Sequence, residues 1–115
     1  MHSNFVTPPD FVDAKNHTIT VVDATADQID MLVHACRHSD QDYNVYLYNT
    51  AMNDRDWLNR AIDLSDAVLI NVHDNTYRDF FDLEKVYNFG PRLLVNPRKL
   101  SYPAQYFALH IQSNK

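Results

Sequence analysis

Glycine is almost missing from this sequence: Gly90 is the only one in 115 residues, against roughly 7% in average proteins. Loops that cradle phosphate need several glycines so that backbone N–H groups can approach the anion closely. A Walker loop and a dinucleotide fingerprint are therefore excluded, while recognition of a nucleoside or sugar by side chains stays open. Cysteine is equally scarce. Cys36 alone excludes an internal disulfide and fits a reducing compartment, so a cytoplasmic location is expected. No apolar run approaches the roughly 20 residues that span a bilayer, and no membrane partner is expected. The opening stretch "MHSNFVTPPDFVDAK" has neither the basic start nor the apolar core of a secretory signal. Positive charge is the minority: 10 Lys and Arg against 15 Asp and Glu, a net charge of −5. Duplex nucleic acid is thus not an expected partner.

What is present reads as one soluble globular domain, with 45% hydrophobic and 22% charged residues. Residues 1–15 read as an extended N-terminal arm, because Pro8-Pro9 prevents regular structure, with Phe5, Val6, Phe11 and Val12 free to dock. "HTITVVD" (17–23) is β-branched and predicts the first strand of a domain over 16–115. Thr25, followed three positions later by Gln28, has the form of a capping box. Ile29, Leu32, Val33 and Cys36 then repeat at helical spacing, which places Cys36 in the core rather than at a reactive site. "YNVYLYN" (43–49) predicts a second strand. Asn53 or Asp54 starts a second helix, which buries Trp57, Leu58, Ala61 and Ile62 and ends near Ser65.

Residues 67–73 form a nearly continuous apolar run, as in a strand covered on both faces. A third helix is predicted over 76–88, with Phe80, Leu83 and Tyr87 inward and Gly90-Pro91 as its stop. "RLLVN" (92–96) predicts a fourth strand. Alternation at Phe107, Leu109 and Ile111 predicts a fifth. Strand–helix–strand units with short links imply right-handed crossovers and a parallel sheet. The fold class expected is a three-layer α/β sandwich of flavodoxin/Rossmann-like type with four parallel strands. The last link is shorter than the dozen or so residues of a helical crossover, so the C-terminal strand is expected to be an antiparallel edge.

In such a sheet, ligands sit beyond the carboxyl ends of the strands. "DAVLINVHD" (66–74) delivers His73, Asp74 and the following Asn75 to that edge. Asp23, Asn49 and Asn96 end the other strands, and with His73 and Asn75 they are the candidate ligand-binding residues. Asp and Asn also serve at strand ends as turn and cap residues, by satisfying free backbone N–H groups. His34 and His38 share a helix face, but with no third ligand and no HExxH motif they read as surface residues, and no metal site is expected. No cofactor is expected either. Seven tyrosines and the arm residues Phe5 and Phe11 suit a protein interface, so a protein partner or self-association is expected.

Two family resemblances follow from quoted residues. The stretch "WLNRAIDLSDAVLINVHD" (57–74), continued by "DFFDLEKVYNFGPRLLVNP" (79–97), resembles the second half of a nucleoside 2-deoxyribosyltransferase, over about residues 54–97. That resemblance implies the catalytic pair Glu84, as nucleophile toward a sugar C1′, and Asp74, as a substrate-positioning acid. The chain is also similar to response-regulator receiver domains. There Asn71 takes the place of the phosphoacceptor aspartate, Asp23 stands alone where an acidic pair is usual, and Lys99 follows the fourth strand. Asparagine forms no acyl phosphate, so the receiver likeness implies a degenerate, non-phosphorylated signalling domain.

Where the transferase family has a glycine-containing loop after its first strand, this chain has "DATAD", and Lys85 and Val86 follow Glu84. Those departures weigh toward a non-enzymatic binding or interaction protein on a transferase-like scaffold, with a nucleoside-type small ligand as one candidate. The alternative is a small nucleoside or nucleotide N-glycosyl transferase or hydrolase using Glu84 and Asp74. A compact, glycine-poor domain rich in Asn, Asp and Tyr also matches the composition of a viral accessory or assembly protein.

Overall fold

Five short strands, all parallel, make the sheet of the computed structural model, which describes residues 3–12, 16–38, 42–71 and 93–95. Among the described residues the elements are, in chain order, β1 (Asn4–Val6), β2 (His17–Val22), α1 (Ala26–Arg37), β3 (Tyr43–Tyr48), α2 (Arg55–Asp63), β4 (Ala67–Ile70) and β5 (Leu93–Val95), with a 3-10 turn at Thr50–Met52. The spatial order is β1-β3-β2-β4-β5. The chain therefore adds β3 on one side of β2 and β4 on the other, and this sets the layers. A right-handed crossover to one side of β2 puts α1 on one face, and the return crossover puts α2 on the other.

The core confirms the three layers. Ile19, Val21, Val45, Ala67 and Leu69 pack with Leu32 and Cys36 of α1. Val22, Tyr46, Tyr48, Val68 and Ile70 pack with Trp57, Leu58, Ala61 and Ile62 of α2. Residues 67 to 70 thus alternate between the two helices, and all four are buried, as a strand covered on both faces requires. Leu47 is only half-buried and packs against the α1-side cluster.

Local chemistry explains the helix starts. The Thr25 hydroxyl accepts from Gln28 N–H at 3.2 Å while Gln28 Oε1 accepts from Thr25 N–H at 2.9 Å, the reciprocal capping box. Asp54 caps α2 by accepting from Trp57 N–H at 3.1 Å. The inward face of α1 is rotated from expectation: Gln28, Leu32 and Cys36 are buried, whereas Ile29 and Val33 are half-buried.

The N-terminal segment, expected as an extended arm, includes an edge strand of the sheet. Asn4–Val6 pair in parallel with Asn44–Tyr46. Asn4 Nδ2 donates to Asn44 Oδ1 at 3.0 Å, and Tyr43 N–H donates to Ser3 Oγ at 3.0 Å. Pro8 and Pro9, joined by a cis peptide, sit in a turn in which Asp10 N–H donates to Thr7 O at 3.0 Å. Phe11 and Val12 then pack against the α2-side core. The third helix at 76–88 and the C-terminal strand at 107–111 lie outside the described residues.

Candidate functional site

The topological switch point lies between β2 and β4, and in open α/β sheets this is where a crevice forms beyond the strand ends. Among the described residues, Asp23 after β2 and Asn71 after β4 stand there. The backbone brings them together, since Asn71 N–H donates to Val22 O at 3.0 Å. Asp23 adopts a left-handed conformation with φ of 55°, which Asp tolerates better than most residues.

Three sets of contacts hold that turn. Asp23 N–H donates to Tyr48 O at 2.9 Å. Asp23 O accepts from Asn71 Nδ2 at 2.9 Å. The carboxylate accepts Thr50 N–H at 2.9 Å and the Thr50 hydroxyl at 3.1 Å. The end of β2 is therefore tied to β3 on one side and to β4 on the other.

Gln28 completes the arrangement. It is 3% exposed and Asn71 9%, and two buried amides need partners. Gln28 Nε2 donates to Asn71 Oδ1 at 3.3 Å, and Asn71 Nδ2 donates back to Gln28 Oε1. That same oxygen accepts the Thr25 N–H of the capping box. The start of α1, the end of β2 and the end of β4 thus share one hydrogen-bonded cluster, closed by a neutral amide pair.

The expected ligand-binding residues separate accordingly. Asp23 and Asn49 do lie at the same edge, at the ends of neighbouring parallel strands. Both are engaged internally, for Asn49 Oδ1 accepts from Ala51 N–H at 2.8 Å and caps the 3-10 turn. His73, Asp74, Asn75, Glu84 and Asn96 lie outside the described residues. Of the interface candidates, Phe5 is 39% exposed on the edge strand. Phe11 lies against Tyr46 and Trp57, at centroid distances of 5.7 and 5.5 Å.

Chemically, Asp23 is the single ionisable group among Asp23, Gln28, Asn49 and Asn71. No group of three or more His, Cys, Asp or Glu suited to a metal ion occurs among the described residues. Gln28 escaped the sequence reading as anything beyond a capping partner. The available signal was its place on the Leu32–Cys36 stripe, where a polar residue predicts a buried partner.

Compared with known proteins, the sequence matches no family model and no curated protein, and the structure matches no solved structure. Among the described residues, no helix is long and apolar enough to cross a membrane.

Proposed function

We propose that this chain is a non-enzymatic binding or interaction domain on a scaffold of the nucleoside deoxyribosyltransferase type. One observation carries the reading: the Gln28–Asn71 amide pair and the Thr50-bound Asp23 carboxylate close the switch point with the protein's own groups. A ligand entering there would have to break those bonds before making its own, and unmade buried bonds are expensive. A catalytic site has the opposite character, with polar groups held ready for the reacting atoms. The partner is then another protein or a second copy of the chain, met by aromatic surface such as Phe5. An assembly role accords with this.

The test is a titration of the isotopically labelled full chain with purine and pyrimidine deoxynucleosides, read at the Gln28 and Asn71 side-chain amide signals. Those signals should stay in place at millimolar ligand, and saturable shifts centred on them would refute the reading. A degenerate receiver role is favoured by one separate observation. Asn71 follows β4 beside Asp23 in the strand order β3-β2-β4-β5, where a receiver's acceptor would stand. Acetyl phosphate with magnesium should then leave the mass of the protein unchanged.

A further inference from the structure

The last turn of α1 brings two imidazole rings close together, tilted to one another. The ring centroids of His34 and His38 are 4.3 Å apart with an interplanar angle of 54°, and both residues are exposed. We propose that this pair is a bidentate site for a late first-row divalent ion such as zinc, nickel or copper, the ions that imidazole nitrogen favours.

Geometry supports chelation by one ion. Metal–nitrogen bonds of about 2.0–2.1 Å put the centroids of two tetrahedrally coordinating imidazoles about 5 Å apart. The rings therefore need to open by less than about 1 Å, which small side-chain rotations supply. The backbone holds the spacing, because His38 N–H donates to His34 O at 3.1 Å. Leu32 and Cys36, buried against the sheet, hold the helix with its histidine ridge toward solvent. The helix backbone is already ordered, so binding has only side-chain freedom to restrict.

The electrostatics also favour a cation. The pair sits at the carboxyl end of a 12-residue helix, the negative end of its dipole. Asp30, one turn earlier on the same ridge, is exposed and adds negative charge nearby, opposed by Arg37 on the flank. Among the described residues no third His, Cys, Asp or Glu joins the pair. The remaining coordination positions are open to water or to a donor outside those described residues. That is the open type of site, distinct from a closed structural one.

The experiment is a zinc chloride titration of the full chain, following the imidazole nitrogen signals, with His17 as internal reference. The His34 and His38 rings should shift together, saturate at one equivalent, and return on adding a chelator. H34A and H38A should each weaken binding at least about tenfold, since losing a ligand costs at least as much as losing a supporting contact. Both side chains are exposed, so the fold should survive, and the unmodified chain decides the matter if it does not. Movement of neither ring or of one ring alone would overturn the proposal, as would a double variant that binds zinc as the unmodified chain does.

Discussion

Gln28 and Asn71, 43 residues apart in sequence, pair amide to amide at the carboxyl edge of the sheet, with Gln28 Nε2 donating to Asn71 Oδ1 at 3.3 Å. The pair joins the first turn of α1 to the end of β4. It occupies the position at which an open α/β sheet ordinarily receives a ligand. Removing either side chain leaves the other buried without its partner. Asn71→Ala or Gln28→Ala should each cost about 1–3 kcal/mol, measured by urea unfolding. The double variant should cost less than the sum by at least about 0.5 kcal/mol, the sign of direct coupling. Strict additivity would show that the two amides do not act as a unit.

Leu69 lies in the middle of β4, is 1% exposed and faces α1. Leu69→Ala should lower stability by about 2–5 kcal/mol, the range for a buried leucine that leaves a cavity. An unfolding midpoint unmoved by this truncation would contradict a strand covered on both faces.

The N-terminal segment is part of the fold, and its removal should show it. Trp57 Nε1 donates to Asp10 O at 2.8 Å, and the Tyr46 hydroxyl donates to Val12 O at 3.2 Å. The Arg60 guanidinium stands 4.1 Å over the Phe11 ring. Phe11→Ala should cost about 1–3 kcal/mol, below the ~3–5 kcal/mol of a fully buried phenylalanine. Deleting residues 1–12 should redden Trp57 emission and lower the unfolding midpoint. A deletion variant as stable as the full chain would refute the docking.

Burial pushes the Cys36 thiol up to about 11, against an ordinary value of 9.0, with a smaller opposing effect from a hydrogen bond to Ser3. The thiol is neutral in both folded and unfolded chain below about pH 9. As pH rises from there toward 11, the unfolded thiol ionises first and stability falls. Cys36 should resist a thiol reagent at pH 8 in the folded chain and react at once in urea. Equal rates in both conditions would contradict its burial.

Much of the fold was legible because strand and helix periods rest on local chemistry. Thr25 and Gln28 marked the start of α1, and Asn53 or Asp54 that of α2, where Asp54 is the cap; the apolar run at 67–73 marked a strand buried on both faces, which in the structure is Ala67–Ile70. Asn4–Val6 was missed as a strand for a physical reason. Three residues hold too little pattern to reveal a strand, and its pairing with Asn44–Tyr46 depends on contacts 40 residues away. The inward face of α1 was misplaced because Gln28 is polar, and only its distant partner Asn71 makes its burial tolerable. At the site, the edge location of Asp23 and Asn49 followed from strand direction. Their engagement by Thr50 and Ala51 did not, because it depends on the turn after β3.

The most direct test of the non-enzymatic reading is a turnover assay of the full chain with 2′-deoxynucleosides, with and without a free base as acceptor, alongside Glu84→Gln. The account predicts no release or exchange of base above the uncatalysed rate, with the two proteins indistinguishable. Base exchange or hydrolysis by the unmodified chain, abolished in Glu84→Gln while the unfolding midpoint stays the same, would contradict it and assign the chain to glycosyl transfer.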